Sequence, residues 1–332
     1  MQREILKQLK SIEVHPLAFE SLGVRSMSTL IRTPDVSLLI DPGVALGPRR
    51  PVTPHPKEYV ARNESRARIL DAALRSDFIF VSHYHHDHYT PNYTDMVWLG
   101  STREIAESIH KDKTIFAKDT RNSINFSQRR RGWLFQKSVE KVASKFETVD
   151  NKTFELGGTR LKFSLPVYHG EENSGLGWIL MLTIISNDEK LVYAPDVQGP
   201  ISDETFRSIL MEKPDLLILG GPPLYLQGFK ISTDIILHAL ENIIRLAVKL
   251  PVIILDHHLL RSSDWKPYLG KALASAEESG NRLITAAEFA GVQNSPLESI
   301  RQELYDRDPP SKEFSRWTKL SREKKMRTAP PV

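Results

Sequence analysis

The chain has 332 residues, with 45 lysines and arginines against 41 aspartates and glutamates, 11 histidines and no cysteine. Without a thiol it can form no disulfide, cysteine-ligated zinc finger, iron–sulfur cluster or cysteine nucleophile, so a transition-metal site must use imidazoles and carboxylates. Hydrophobic residues make up 40% of the chain and charged residues 26%. This composition is typical of a globular protein of one large domain or two ordinary ones.

The formal net charge of +4 conceals two basic segments. Residues 111–145 carry ten basic and three acidic side chains, and residues 312–327 carry seven and two. Segregated positive charge favours a nucleic-acid or phosphate partner, although a solvated surface and a tail explain it equally well. We expect one domain at residues 1–308, with a basic insertion around 111–145, and a basic C-terminal tail at 309–332.

Neither a secretory signal nor a membrane span is expected. The first residues carry charge every few positions and lack the apolar core of a signal peptide. No apolar run approaches the roughly 18 residues that a membrane helix needs. We therefore expect a cytoplasmic protein without membrane contact.

Short apolar runs alternate with helical periodicity along the chain. Strands are expected at 26–32, 37–40, 78–82, 160–167, 177–185, 190–194, 216–219 and 252–255. Helices are expected at 64–76, 101–111, 203–211, 233–249 and 266–279. The proline-rich stretch at 43–56 indicates an extended loop. Strands and hairpins near both ends, with strand–helix units between them, suit two sheets packed face to face and covered by helices.

The most informative stretch is Ser82-His83-Tyr84-His85-His86-Asp87-His88, which directly follows an apolar strand. A surface run of histidines is the simple alternative. Packing does not explain four imidazoles at a strand end, because close imidazoles disfavour one another's protonation and add little apolar area. The pattern therefore favours a metal site.

Other polar residues also follow apolar runs. Asp41, His169 and Asp196 each do so, and the adjacent His257 and His258 follow the last buried run. In this order, with the H-x-H-x-D-H cluster, they resemble the metallo-β-lactamase superfamily across residues 41–258. The resemblance implies an α+β fold, a four-layer αββα sandwich of two mixed sheets flanked by helices, with metals at one edge.

The resemblance also implies two divalent metal ions. The ligands would be His83, His85 and His169 for the first ion, Asp87, His88 and the last histidine for the second, and Asp196 for both. Arg261 lies four residues after His257, as in some superfamily nucleases, which favours His257 over His258 as the last ligand. Zinc is expected, with manganese or iron as alternatives. His85 favours a hydrolytic metal, because the iron redox branch usually has glutamate at that position.

Further residues have expected roles around the ions. Asp87 would orient the attacking water and is the expected catalytic residue. Asp41, Asp256 and His86 are expected to lie behind or beside the ligands. The residues expected to bind substrate are Arg129, Arg130, Arg131 and Arg261. The three consecutive arginines lie among Phe126, Trp133 and Phe135, a combination that suits phosphates or single-stranded nucleic acid. A helix or hairpin with a charged outer face and an aromatic inner face would give the same pattern.

The whole chain resembles a mainly archaeal branch of the superfamily, in which the HHDH cluster, a basic INFSQ-R-RG element and the DHHLLR strand end recur. We expect a metal-dependent hydrolase that uses a metal-activated water on an anionic substrate such as a phosphodiester or nucleic acid. One alternative is a hydrolase of lactones, thioesters or other carboxylic esters. The other is a nucleic-acid-binding protein with a residual metal site.

Overall fold

The computed structural model describes residues 9–48, 52–172 and 174–332. Residues 1–8, on which the argument against a signal peptide partly rests, lie outside the described residues, as do residues 49–51 of the expected loop. None of the described helices is both long enough and apolar enough to cross a membrane.

The first sheet contains six strands, which lie side by side in chain order. They are β1 (Glu13–Phe19), β2 (Met27–Arg32), β3 (Ser37–Ile40), β4 (Phe78–Val81), β5 (Thr114–Ala117) and β6 (Lys145–Thr148). Neighbours from β1 to β3 are antiparallel, and those from β3 to β6 are parallel. Its helices are α1 (Pro56–Leu74), α2 (Arg103–His110) and α3 (Phe126–Val139). Because β3 and β4 are parallel and Ile40 pairs with Phe80, the residues after both strands emerge at one edge.

The second sheet contains seven strands. They are β7 (Thr153–Leu156), β8 (Thr159–Phe163), β11 (Leu182–Ser186), β12 (Glu189–Ala194), β13 (Leu216–Gly220), β14 (Val252–Asp256) and β15 (Arg282–Ile284). A separate ribbon pairs β9 (Val167–Tyr168) with β10 (Trp178–Ile179). The order in the sheet is β15-β14-β13-β12-β11-β8-β7, with parallel pairing from β12 to β15. Its helices are α4 (Asp203–Glu212), α5 (Thr233–Lys249) and α6 (Trp265–Glu278).

Three hydrophobic clusters hold four layers together. One lies between the two sheets and includes Phe80 of β4 and Leu182 of β11. Ile79, the neighbour of Phe80, belongs to a second cluster shared with α1, α2 and α3. Leu219 belongs to a third cluster, shared with α4, α5 and α6. Successive side chains of a strand point to opposite faces, so each sheet is covered on both sides. The expected fold of two mixed sheets flanked by helices is confirmed.

Most expected elements are present within a few residues of their expected bounds. The helix expected at 233–249 is α5, and the hairpin strands expected at 26–32 and 37–40 are β2 and β3. The helix expected at 64–76 instead begins at Pro56. His55 caps its first turn by accepting from Lys57 N, and the Glu58 carboxylate accepts from His55 N. The strand expected at 177–185 is divided into β10 and β11.

Both basic segments take part in the fold. Residues 111–145, expected as an insertion, instead include β5, α3 and the first residue of β6, and so form part of the first sheet. After β15 the chain forms α7 (Ala286–Phe289), α8 (Arg301–Arg307), α9 (Lys312–Thr318) and α10 (Arg322–Arg327). In α9, Phe314 and Trp317 are buried against Tyr59 of α1. The C-terminal segment is therefore docked on the first sheet's helices.

Candidate metal centre

The polar residues expected at the site come together because each follows a strand. Asp41 directly follows β3, and His83 follows β4 after one residue. From the other half, His169 directly follows β9, Asp196 follows β12 after one residue, and His257 directly follows β14. The parallel strands within each sheet bring their carboxyl ends to one edge. The fold thus converts a pattern spread along the chain into a single cluster.

Asp196 lies at the centre of this cluster and is 1% exposed. Its Oδ2 faces His169 Nε2 at 2.8 Å, His83 Nε2 at 3.2 Å, His88 Nε2 at 3.3 Å and His85 Nδ1 at 3.8 Å. Its Oδ1 faces His257 Nε2 at 2.7 Å and His258 Nε2 at 3.2 Å. A carboxylate can accept in about four lone-pair directions. Asp196 alone therefore cannot accept a hydrogen bond from each of six imidazoles.

The nitrogens and oxygens of the cluster form overlapping groups in which all ligand atoms lie within 4.8 Å of one another. The groups are His83, His85, His169 and Asp196; Asp41, His83 and His88; Asp87, His88 and His257; and Asp196, His257 and His258. The first group contains the three histidines expected to hold the first ion and Asp196, which was expected to contact both ions. His257 belongs to two groups, one with Asp87 and one with His258, so either histidine can reach Asp196.

Buried atoms without partners show that the cluster suits cations. Within the described residues, four site atoms are enclosed and make no hydrogen bond: His83 Nε2, His88 Nε2, His258 Nε2 and Asp196 Oδ1. Leaving such groups unpaired costs about 1–3 kcal/mol each. Imidazole nitrogens and carboxylate oxygens that converge without hydrogen bonds are the donor set that zinc, manganese and iron accept. The residues present therefore fit a metal centre.

Carboxylates and a hydroxyl hold the outer nitrogens of three imidazoles. Asp41 Oδ2 is 2.8 Å from His88 Nδ1, and Glu20 Oε2 is 2.7 Å from His257 Nδ1. Ser82 Oγ donates to Asp41 at 2.6 Å and lies 3.0 Å from His83 Nδ1. Each contact favours a proton on Nδ1, which leaves the Nε2 lone pair free for a metal ion.

The remaining imidazoles are held differently. The amide nitrogen Nε2 of Gln198 lies 3.5 Å from His169 Nδ1. The amide oxygen Oε1 of Gln198 is buried and makes no hydrogen bond. Turning the amide over would let Oε1 accept from Nδ1–H. Tyr225 OH lies 3.5 Å from His258 Nδ1. His85 presents Nδ1 rather than Nε2 to the centre, 3.1 Å from His169 Nε2.

Backbone conformation at the site is unusual. Asp41, Gln198 and His257 adopt positive φ angles of 45°, 58° and 71°, a region that costs about 1–3 kcal/mol for residues other than glycine. Gly43 passes so close to the cluster loop (residues 82–88) that a Cβ would lie 2.6 Å from the backbone carbonyl carbon of Asp87. The fold therefore retains local strain where the ligands converge.

Burial and charge set the protonation states of the cluster. Burial lowers the pKa of His83 well below its ordinary value and that of His85 to about 4. Burial would also lower the pKa of His257, but Glu20 and Asp196 raise it to about 9. Burial opposes ionisation of Asp196, yet the surrounding imidazoles hold its pKa well below the usual range. His83 and His85 are thus neutral near pH 7, as metal ligation requires.

Asp87 and Arg261 meet at the edge of the cluster. Asp87 Oδ2 lies 3.8 Å from His257 Nε2 and 3.5 Å from Arg261 Nη2. Arg261 is 3% exposed, and its Nε donates to Glu20 at 2.6 Å. Arg261, which was expected to bind substrate, is thus buried beside Glu20 and Asp87.

Asp256 and His86 were also expected to lie beside the ligands, and their side chains make other contacts. The Asp256 carboxylate accepts from the backbone N–H groups of Ser21, His257 and Ala286. It therefore anchors the turn after β14 rather than orienting an imidazole. His86 Nε2 lies 3.2 Å from Tyr93 OH, in a surface depression beside the cluster loop.

The three consecutive arginines do not act as one group. Arg131 is half-buried and donates to Tyr84 O in the cluster loop, and it interacts electrostatically with Asp87. Arg129 and Arg130 are exposed and line a separate depression of about 440 Å³ with Trp133. Among the described residues, none of the histidines and carboxylates of the cluster lines that depression. Helical geometry separates neighbours by about 100°, so only Arg131 reaches the cluster loop.

Sequence reasoning missed several residues that support the site. Tyr193 OH donates to Asp41 Oδ2 at 2.8 Å. Tyr193 and Gln198 lie within three residues of Asp196, so inspection of its neighbours would have found them. Glu20 is an isolated glutamate in the connection between β1 and β2, far from any motif. No sequence signal points to it.

The four-layer sandwich, with this order of histidines and aspartates at one edge, is the arrangement that the resemblance to the metallo-β-lactamase superfamily implies. No family model matches the chain. The UPF0282 protein of Methanopyrus kandleri is 42% identical over 294 residues, covering 88% of this chain and 99% of that one. The UPF0282 protein of Thermococcus gammatolerans is 39% identical, covering 90% and 96%. The chain therefore belongs to the UPF0282 family.

Solved structures resemble the chain distantly. The isothiocyanate hydrolase from Delia radicum gut bacteria has a TM-score of 0.47 and 17% identity, covering 79% of this chain and 94% of that one. A metal-dependent hydrolase of the β-lactamase superfamily has a TM-score of 0.47 and 14% identity, covering 83% and 95%. These likenesses say nothing about the substrate.

Proposed function

We propose that this protein is a metal-dependent hydrolase that cleaves phosphodiesters with two divalent ions, zinc in the first instance. The observation that carries the proposal is the Asp196 carboxylate, whose Oδ2 faces His83, His85, His88 and His169 and whose Oδ1 faces His257 and His258. A carboxylate in this position can bridge two ions. Two divalent ions held by these residues would supply the charge that lowers the pKa of a bound water and offsets negative charge on phosphoryl oxygens.

The ligand sets follow from the groups described above. The first ion would be held by His83, His85, His169 and Asp196. The second would be held by Asp87, His88, Asp196 and His257. His88 Nε2 faces Asp196 Oδ2, but His88 also shares a group of ligand atoms with Asp87 and His257. We choose His257 over His258 because its Nε2 also lies close to Asp87 and His88, and because Glu20 holds its Nδ1.

Asp87 is proposed as the catalytic residue. Its carboxylate is 16% exposed, whereas that of Asp196 is 1% exposed, so Asp87 can contact an incoming substrate or water. Burial would raise the pKa of Asp87, but the neighbouring imidazoles and Arg261 hold it well below the usual range. An ionised Asp87 can accept a hydrogen bond from the attacking water and orient it toward phosphorus.

Basic residues beside the cluster loop favour an anionic substrate. A depression of about 560 Å³ is lined by His86, the residue between His85 and Asp87, together with Arg131. Arg103, Lys137 and Lys141 also line it, against a single acidic residue, Glu107. A phosphodiester bound near Asp87 would therefore approach through positive potential.

The test combines metal analysis with a panel of substrates. Purified protein loaded with zinc is assayed on a bis-aryl phosphodiester, a cyclic nucleotide, RNA, a lactone and a thioester. We expect turnover of phosphodiesters that a chelator abolishes and zinc restores. His85→Ala should remove activity and one metal equivalent. His238→Ala, which removes an exposed imidazole paired only with Asp203 and Asn242, should change neither. Turnover of carboxylic esters without any phosphodiester would overturn the proposal.

A further inference from the structure

Helix α3 presents an unusual combination of exposed apolar and basic side chains. We call it the α3 surface. Its members on the helix and the preceding turn are Arg121, Phe126, Arg129, Arg130, Trp133, Leu134 and Lys137. Phe126 is 84% exposed, Trp133 53% and Leu134 50%. Of the three aromatic residues in this helix, Phe135 is buried, whereas Phe126 and Trp133 are exposed. A simple amphipathic helix would direct all three into the core, and α3 does not.

The basic side chains of the α3 surface lack acidic partners. Arg121, Arg129, Arg130 and Lys137 form no ion pair with a carboxylate anywhere in the described part of the chain. By contrast, Lys118, which precedes the helix, is buried and paired with Asp150 at 3.0 Å. Positive charge left unpaired around exposed aromatic rings indicates a polyanionic partner that also offers flat apolar faces.

The α3 surface adjoins the depression beside the cluster loop. Lys137 lines both the depression that holds Trp133 and the larger depression that holds His86. The larger depression adds Tyr93, which is 44% exposed, and reaches the cluster loop next to Asp87. Gln128 of α3 accepts from Tyr84 N of the same loop at 3.2 Å. A flexible chain lying along α3 would thus extend to the cluster loop.

From this arrangement we propose that the α3 surface binds single-stranded nucleic acid. Bases stack on Phe126 and Trp133, and phosphates contact Arg129, Arg130 and Lys137. Unpaired bases are required, because a duplex keeps its base faces inside the stack. A second copy of the chain does not fit, because two α3 surfaces facing each other would oppose their arginines. That the bound strand is also a substrate rests on the proposed function. Binding of the strand does not depend on that function.

Binding is measured by fluorescence anisotropy on the full, zinc-loaded chain. The probes are labelled oligo-dT and oligo-U with phosphorothioate linkages that resist hydrolysis, and a duplex of the same length. We expect both single strands to bind in preference to the duplex, because stacking and phosphate contacts do not read the ribose. Trp133→Ala should weaken binding about 5- to 150-fold, the equivalent of one stacked base. Arg130→Ala should reduce the salt dependence by about 0.7 in log–log slope.

Matched controls lie elsewhere on the molecule. Phe229 is 79% exposed and Arg282 is an exposed residue of the edge strand β15. Phe229→Ala and Arg282→Ala should leave the Kd for the oligonucleotides within twofold of the parent. All four variants remove exposed side chains, and unchanged melting temperatures would verify folding. Equal binding of duplex and single strand, or equal Kd values for Trp133→Ala and Phe229→Ala, would overturn the inference.

The outcome is separable from the proposed function. If the parent hydrolyses a small aryl phosphodiester but does not bind the oligonucleotides, the α3 inference is wrong and the proposed function stands. If the parent binds single strands through Trp133 but hydrolyses no phosphodiester, the inference holds and the proposed function fails.

Discussion

At the scale of single residues, the site depends on carboxylates outside the two proposed ligand sets. Asp41 accepts from Ser82 N, Ser82 Oγ and Tyr193 OH and lies against His88 Nδ1. Glu20 performs a similar role in contact with both His257 and Arg261. Each carboxylate therefore fixes the ring orientation of one ligand and increases its basicity.

Glu20→Gln tests this support directly. The amide keeps the shape of the side chain but loses the charge that orients His257 Nδ1–H and Arg261. We expect metal affinity at the second site to fall about 10- to 100-fold, with the first site retained. Zinc content and competition against a chelating dye measure the change. Asp203→Asn, which removes an exposed carboxylate–imidazole pair at 3.0 Å, is the control and should retain both ions. Loss of neither ion in Glu20→Gln would contradict the assigned role.

A second residue-scale prediction concerns the adjacent histidines. His257→Ala should lose one zinc equivalent and the proposed phosphodiesterase activity, because Asp87, His88 and His257 share a group of ligand atoms. His258→Ala should keep both ions, since its Nδ1 is held only by Tyr225 OH at 3.5 Å. Metal analysis of the two variants side by side decides between them. The reverse result would assign the ligand to His258.

The residues that come together at the site could be predicted from the sequence, and so could the position of Asp41 behind them, but that of Glu20 could not. His83, Asp196 and His257 are recognisable because each follows an apolar run, and parallel strands bring such positions together. Glu20 lies 237 positions from His257 along the chain. Its carboxylate reaches the imidazole only because the β1–β2 connection of one sheet meets the end of β14 in the other. That meeting depends on how the sheets pack, which no local pattern encodes.

At the scale of elements, α3 is seated on the cluster loop. Gly132 lies against Tyr84, whose ring is buried and whose hydroxyl donates to Lys118 O. Arg131 and Gln128 contact the backbone of the same residue. The sequence indicated a helix or hairpin here as one alternative. It did not indicate that Gly132, in the middle of the helix, would be the residue that contacts Tyr84 of the cluster loop.

Gly132→Ala tests the seating of α3. A Cβ at this position would lie 2.6 Å from Cε2 of Tyr84, and overpacking of this kind costs about 1–3 kcal/mol. That cost exceeds the gain of about 1 kcal/mol in helix propensity. We expect a net loss of up to about 2 kcal/mol in the free energy of unfolding, measured in urea. A Cβ added to Gly270 in α6 would have no atom within 4 Å, so Gly270→Ala should stabilise the protein. Equal stabilisation by both changes would contradict the contact.

At the scale of the whole molecule, the metal centre and the hydrophobic core are separate sources of stability. The three clusters that join the layers consist of apolar side chains, mainly of the strands and helices, whereas the ligand groups lie at the strand ends. The periodicity of the sequence predicted these layers because buried strands and amphipathic helices have distinct patterns. The sequence pattern did not predict that the C-terminal helix α9 docks on the domain. Its segment is short and basic, like a tail, and only the structure shows Phe314 and Trp317 packed against Tyr59.

Removal of metal should therefore lower stability without unfolding the chain. Ligands that bind only the folded state stabilise it by about 2.7 kcal/mol at a concentration 100-fold above Kd. We expect a chelator to lower the melting temperature by several degrees while circular dichroism at room temperature stays unchanged, because the three clusters persist. Asp196→Asn, which removes the bridging charge, should show little further decrease on chelation. If the parent melted at the same temperature with and without chelator, the imidazoles around Asp196 would not form a metal centre.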